Sequence, residues 1–212
     1  STLSVASSTI SDNSTTYGSG AGVYHYPATL GTYDLTVTDS DLEGNTAGYN
    51  GGALYAYYTD DVTLSGNRIV DNTAGATAYS GGGAYTYYVD SVSVSGNLFC
   101  QNTAMYGGGF YSYYTISSTQ SWTNNVFVEN TANYSGGGLY TQSNSYAEVT
   151  NNTFVGNEAN YYGGALYSYY TYASVVNNIF AYQLDGDGVY AGDSASNTYS
   201  DYTYNDWYAN TA

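Results

Sequence analysis

The sequence predicts an all-β fold, a right-handed parallel β-helix, and three observations carry that expectation. A phrase recurs about every 28 residues over the 212-residue chain. Within it, stretches such as "SVSVSGN" (91–97) alternate at period two, as half-buried strands do. Glycine and asparagine punctuate the phrases where turns are needed. The ends of the phrases read ISDN (10–13), LEGN (42–45), IVDN (69–72), FCQN (99–102), FVEN (127–130), FVGN (154–157), FAYQ (180–183) and WYAN (207–210). Their fronts read AGVY (21–24), GALY (52–55), GGAY (82–85), GGFY (108–111), GGLY (137–140), GALY (164–167) and DGVY (187–190). Fronts and ends interleave strictly, which is the signature of a solenoid. Helical repeats would show apolar spacing of 3.6 and better helix formers. One domain over residues 1–212 is expected, with about seven and a half coils in a rod roughly 35 Å long. Right-handedness follows the bias of parallel crossovers.

Aligned phrases give three apolar columns that should face inward, each residue packing on its copies above and below. The first runs Val5, Val37, Leu64, Val94, Trp122, Val149, Val175, Tyr202. The second runs Ile10, Leu42, Ile69, Phe99, Phe127, Phe154, Phe180, Trp207, and the third Val23, Leu54, Ala84, Phe110, Leu139, Leu166, Val189. Between the first two stands Asn67, Asn97, Asn125, Asn152, Asn178, Asn205, with Ser8 and Ser40 in the earliest coils. A second polar column, Asn13, Asn45, Asn72, Asn102, Asn130, Asn157, is interrupted by Gln183 and resumes at Asn210. Amides stacked at turns can hydrogen-bond along the axis and satisfy turn backbone, so both columns read as structural.

GGAL (51–54 and 163–166) followed by Phe-x-x-Asn (99–102, 127–130, 154–157) resembles the repeat of the polymorphic outer-membrane proteins, surface adhesins with right-handed parallel β-helix passengers. The likeness spans roughly residues 10–210. It implies the fold and a surface role. This chain departs from the family's pattern in its GGG sites, in its tyrosine load and in showing no stretch that reads as an autotransporter barrel.

The composition narrows the partners. With 17 acidic residues against one Arg and no Lys, the formal net charge is -16. Phosphate neutralisation needs cations in number, so nucleic acid is not expected, and neither is docking on anionic lipid. No apolar run is long enough for membrane insertion as a helix. Cys100 is alone, and reads either as a buried thiol or as a bridge between subunits.

The 31 tyrosines form columns of their own. Tyr55, Tyr85, Tyr111, Tyr140, Tyr167 and Tyr190 follow the third apolar column by one residue and should point outward. Tyr26, Tyr57, Tyr87, Tyr113 and Tyr169 come two residues later on the same face. Tyr17, Tyr49, Tyr79, Tyr106, Tyr134 and Tyr161 precede the glycine clusters. Such a surface suits protein contacts or glycans, or protects the sheet through stacking. The expected interaction surface is Tyr55, Tyr57, Tyr85, Tyr87, Tyr111, Tyr113, Tyr167 and Tyr169.

Chemistry is harder to place, and no enzyme is expected. Asp60 with Asp61, Asp39 with Asp41, and Asp185 with Asp187 are the paired carboxylates a glycosidase would need. Arg68 could serve a lyase, and His25 is the single histidine. No cofactor is expected, although "LDGDG" (184–188) with Asp193 nearby resembles part of a calcium loop, which makes Asp185 and Asp187 candidate ligands. Asn133, Asn13 and Asn151 fit the N-glycosylation pattern, with Asn133 best placed in a loop.

The chain opens and closes on the second half of a coil, so both ends read as uncapped. The expected role is an extracellular or cell-surface filament subunit, joined head to tail with itself. The alternatives are a surface adhesin repeat and a polysaccharide-binding or polysaccharide-cleaving β-helix.

Overall fold

The computed structural model describes residues 2–27, 33–75, 78–115, 119–144, 146–184, 187–192 and 201–210. The chain winds through four parallel sheets. The first stacks Leu3–Ala6, Leu35–Thr38, Asp61–Ser65, Ser91–Ser95, Thr119–Thr123, Tyr146–Thr150, Tyr172–Val176 and Asp201–Thr203. The second stacks Thr9–Ser11, Asp41–Glu43, Arg68–Val70, Leu98–Cys100, Val126–Val128, Thr153–Val155, Ile179–Ala181 and Asp206–Tyr208. The third, of shorter strands, runs from Ser14–Thr15 through Thr46–Ala47, Thr73–Ala74, Thr103–Tyr106 and Thr131–Ser135 to Glu158–Ala159. The fourth holds Val23–His25, Leu54–Tyr57, Ala84–Val89, Phe110–Thr115, Leu139–Gln142, Leu166–Tyr169 and Val189–Ala191. Among the described residues six turns contain all four strands, fewer than the seven and a half coils expected. The seventh turn lacks a third-sheet strand, and an eighth is half present.

Like residues lie over like residues. In the second sheet Ile69 pairs with Phe99, Phe99 with Phe127, Phe127 with Phe154, Phe154 with Phe180 and Phe180 with Trp207. Their rings stack at 4.8, 4.7, 5.0 and 4.5 Å along the Phe99-to-Trp207 run. That matches the strand spacing of a sheet, so the backbone repeat sets the ring repeat. The first-sheet column through Leu64, Val94, Trp122 and Val149 is likewise in register and fully shielded. The third sheet supplies a column of small residues, with Ala47, Ala74, Ala104, Ala132 and Ala159 all buried. Behind it the glycine clusters pass close to neighbouring coils. A Cβ on Gly83 would sit 2.5 Å from the Gly109 carbonyl oxygen, so no side chain fits there.

The asparagine columns are continuous hydrogen-bond ladders. Asn67 donates from its backbone N–H and from Nδ2 to Asn97 Oδ1, both at 2.9 Å, and from Nδ2 to the Val37 carbonyl at 2.8 Å. Asn97 repeats this with Asn125 Oδ1 and the Leu64 carbonyl. The pattern runs on through Asn125, Asn152 and Asn178 to Asn205. Each amide therefore holds three consecutive coils. Gln183 does not interrupt the second ladder as the sequence suggests. Its Oε1 accepts from the Asn157 N–H at 3.0 Å and its Nε2 donates to the Phe154 carbonyl at 2.9 Å. The extra methylene still reaches both partners.

The residue before each rung is left-handed, for example Asp71 before Asn72 and Gly96 before Asn97, with φ of 56° and 64°. Asp, Asn and Gly tolerate that conformation, and they dominate these corners.

Replacing Asn97 by Leu should strand the Asn67 N–H and the Leu64 carbonyl inside the coil. We expect a loss of about 3 kcal/mol or more, at ~1–3 kcal/mol for each buried unpaired group. Urea unfolding with an unchanged midpoint would sink the ladder as a source of stability.

Candidate functional site

Along the fourth sheet, residues alternate between the coil interior and the outside. Leu54 and Ala56 are buried within, and Tyr55 and Tyr57 project outward. An inner column of rings runs Tyr24, Tyr55, Tyr85, Tyr111, Tyr140, Tyr167 and Tyr190, each paired in register with the next. Outward is not exposed, however. Tyr85, Tyr111, Tyr140 and Tyr167 retain only 7, 7, 5 and 8% of their surface. They form a second apolar cluster outside the solenoid, covered by Tyr87, Tyr106, Tyr113 and Tyr169. Of the expected interaction surface, Tyr85, Tyr111 and Tyr167 are therefore buried, because rings two residues further along the strand lean over them. Tyr55, Tyr57, Tyr87, Tyr113 and Tyr169 remain half-buried.

The outer column is regular in the first half of the rod. Tyr26, Tyr57, Tyr87 and Tyr113 stack at 5.0, 5.0 and 4.9 Å with interplanar angles of 7, 7 and 4°. Ring faces are consumed by neighbours there, leaving edges and hydroxyls to solvent. At the following corner Tyr58, Tyr88 and Tyr114 adopt φ of 53, 53 and 57°, unusual for so bulky a residue.

Four coils share a Tyr-x-Tyr-Tyr run, YAYY (55–58), YTYY (85–88) and YSYY (111–114, 167–170), whereas the first reads YHYP (24–27), the last YAGD (190–193) and one between them YTQS (140–143). In register, Gln142 lies between Tyr113 and Tyr169. Gln142 borders a cleft of about 440 Å³. Its floor is Tyr85, Tyr111, Tyr140 and Tyr167. Tyr113, Gln142 and Tyr169 form one side, and Tyr106, Tyr134 and Tyr162 the other. The floor rings are no longer parallel. Tyr85 meets Tyr111 at 68°, Tyr111 meets Tyr140 at 29° and Tyr140 meets Tyr167 at 44°. The Tyr111 hydroxyl donates to Gln142 Oε1. The sequence signal for this site was the absent tyrosine at 142, a gap in an otherwise regular column.

No charged side chain lines the cleft among the described residues. Burial, and then neighbouring phenols, pushes the Tyr111 and Tyr140 hydroxyls well above the usual phenol range, and Tyr167 up to about 12. At neutral pH these phenols are hydrogen-bond donors, not bases.

The other candidates are placed apart from the cleft. Arg68 Nη1 lies 2.8 Å from Asp41 Oδ1 and 2.6 Å from Glu43 Oε2, exposed on the second sheet. Its charge is already matched. His25 Nδ1 is 2.9 Å from Thr59 Oγ1, and its pKa is lowered by burial against an opposing pull from Asp34. Asp61 accepts from the Ser91 hydroxyl one coil on. Asp185 and Asp193 lie outside the described residues, and Asp187 is exposed. Among the described residues no group of three or more His, Cys, Asp or Glu is arranged to hold a metal ion. Cys100 is half-buried in the second sheet between Val70 and Val128, and burial raises its thiol pKa, which disfavours the reactive thiolate.

Of the glycosylation candidates, Asn133 sits in the strand Thr131–Ser135 and not in a loop. Asn13 is exposed with Nδ2 bound to Asn45 Oδ1, and Asn151 is exposed at a left-handed corner. Among the described residues no helix is long and apolar enough to cross a membrane.

Residues 1–180 match the family model for a right-handed β-helix region. The chain belongs to the right-handed β-helix family. The four-sheet winding thus has the right-handed sense expected of parallel crossovers. Comparison with curated proteins and with solved structures gives no match. The tyrosine cleft of this β-helix must accordingly be interpreted from its own geometry.

Folded-state phenols that resist ionisation make stability fall with alkalinity. Tyr55 and Tyr167 are pushed up to about 12 from 10.0, and Tyr85, Tyr111 and Tyr140 are raised as well. Above pH 10 the unfolded chain sheds protons that the folded chain keeps, so stability is whole below 10 and is lost as pH climbs toward 12. Absorbance titration at 295 nm should show a buried fraction still protonated at pH 11 in the folded protein. A single transition near 10 for every tyrosine would contradict this.

Proposed function

We propose that this β-helix is a secreted or surface protein that binds a neutral polysaccharide in the tyrosine cleft without cleaving it. The observation that carries the reading is the uncharged, tyrosine-lined cleft bordered by Gln142, where the outer column between Tyr113 and Tyr169 lacks a ring. The partly exposed rings of the cleft's sides, Tyr113, Tyr169, Tyr106, Tyr134 and Tyr162, can stack on the apolar faces of sugar rings, and the phenols and the Gln142 amide can hydrogen-bond sugar hydroxyls. The floor follows the rod over three rung spacings, about 14 Å, enough for a short run of an extended chain. A net charge of -16 repels acidic polymers, so the ligand is uncharged. The absence of a carboxylate pair on the cleft lining favours binding over hydrolysis. Right-handed β-helices are common among secreted and surface proteins, which agrees with the compartment. Filament assembly would need the terminal rungs to be free in the whole protein. The cleft is a site whatever continues from either end.

Affinity electrophoresis against neutral and acidic polysaccharides tests the reading. Retardation by at least one neutral polymer is expected, weakened tenfold or more by Gln142→Tyr, which restores the missing ring, with the melting temperature kept or raised. Undiminished retardation of Gln142→Tyr, or retardation by acidic polymers alone, would overturn it, as would new reducing ends appearing in the bound polymer.

A further inference from the structure

We propose that the cleft holds an extended, equatorially linked pyranose chain along the rod axis, one sugar to each rung. The inference rests on the reading of the cleft as a neutral-polysaccharide site, and it adds the linkage class and the orientation of the ligand. The floor phenols carry it. Tyr85, Tyr140 and Tyr167 are 7, 5 and 8% exposed, and among the described residues none of their hydroxyls has a hydrogen-bond partner. Yet these oxygens are not sealed in. The buried side-chain polar atoms without a partner are, among the described residues, Trp122 Nε1, Ser135 Oγ, Thr141 Oγ1 and Tyr202 Oη. What the three shielded rings show to the cleft they line is therefore the hydroxyl tip. A phenol so placed finds its partner only in what enters the cleft.

The remaining floor ring, Tyr111, donates its hydroxyl to Gln142 Oε1. Gln142 Nε2 keeps its own protons free among the described residues, so the amide replaces that phenol as a donor. The sides repeat with the floor. From the Tyr111 rung to the Tyr167 rung, each coil contributes one residue to either side, Tyr106, Tyr134 and Tyr162 facing Tyr113, Gln142 and Tyr169. The long axis of the cleft is accordingly the rod axis.

Spacing selects the polymer. From Tyr85 to Tyr167 the floor centroids step 5.3, 4.6 and 4.6 Å. Pyranoses joined through equatorial bonds at opposite ends of each ring form a flat ribbon, which advances per sugar by close to the ~4.8 Å strand repeat. Standing on edge, that ribbon sets ring hydroxyls on the floor and apolar ring faces against the side tyrosines. Alternate sugars turn opposite edges down, and a phenol serves either, because it both donates and accepts. Axial or 1,3 linkages curl the chain, and a curled chain leaves a straight cleft within a few sugars. An extended peptide advances ~3.4 Å per residue and falls out of step with the rungs.

Calorimetric titration of the full chain with oligosaccharides of increasing length tests this. Cello-, manno- and xylo-oligosaccharides supply equatorial 1,4 linkage, and malto- and laminari-oligosaccharides supply curled chains. At least one equatorial series should bind, tightening about fivefold with each sugar up to the tetrasaccharide and levelling beyond it, as each sugar gains a hydrogen-bonded rung. Tyr140→Phe keeps the ring and removes one floor hydroxyl. It should weaken the tetrasaccharide about fivefold at an unchanged melting temperature, because that hydroxyl serves no protein partner. Tyr146→Phe, on the first sheet, should change neither. Undiminished affinity in both Tyr140→Phe and Tyr167→Phe overturns the proposal, as does the failure of every equatorial series to outbind the curled ones. The neutral-polysaccharide reading survives either result. It falls, and this proposal with it, when no neutral polymer binds at all.

Discussion

The structure depends on the hydrogen bonds that asparagine side chains make along the rod axis. Backbone pairing alone fixes the spacing of coils, but it leaves each corner with N–H and carbonyl groups turned into the core. Asn67, Asn97 and Asn125 meet those groups and one another at once, so a coil shifted by one residue would lose its amide partners and its backbone partners together. Two such ladders bracket the second sheet, which is where the phenylalanine stack is most nearly parallel. Interplanar angles there are 6 and 4° for the two Phe pairs from Phe99 to Phe154. Ring stacking is a consequence of the register as much as a cause of it.

The same register explains why the tyrosines do not behave as a scattered exposed surface. Once coils are held at the strand repeat, any aromatic column on an outward face has neighbours at stacking distance. Covering rings from adjacent positions then remove the inner column from water. An exterior cluster of this kind adds apolar burial without enlarging the interior, where rings from opposite sheets already meet, Phe99 with Phe110 and Phe110 with Trp122. It also makes the outside sensitive to a single departure. Gln142 leaves the inner rings in place and still buried, Tyr140 on its own rung being 5% exposed, and it borders a cleft.

Much of the fold was legible because the repeat supplies its own alignment. The columns through Val94 and Trp122, through Phe99 and Phe127 and through Ala84 and Phe110 are the pairs that the register joins. The third sheet was less visible. Its inward residue is only alanine, two positions after each ladder asparagine at 47, 74, 104, 132 and 159, and small residues carry little hydrophobic signal although they recur as faithfully as the rings. The outward direction of the tyrosines could be read from strand alternation. Their burial could not, since it depends on side chains leaning across two columns and on a third stripe, Tyr106 and Tyr134, arriving from a different sheet. Gln183 shows the opposite error. An interruption in sequence is no interruption in space when the longer side chain reaches the same two partners.

Repetition also changes what counts as evidence for a site. In an irregular fold a glutamine beside tyrosines is unremarkable, because nothing says what else could have stood there. Here the preceding coils show that tyrosine at the equivalent position is sterically permitted and packs at about the strand repeat. Its absence at 142 removes apolar contact that the scaffold is built to accept. Tyr111 turns its hydroxyl to the glutamine and tilts away from Tyr85, exchanging a stacked contact for a hydrogen bond. Stability favours completing the ladder, and the geometry of an open aromatic floor favours leaving it incomplete. A rung that departs from the ladder and yet keeps its floor ordered is therefore where a function is to be sought. The corner tyrosines at left-handed φ report on how far stacking can hold a residue in a costly conformation.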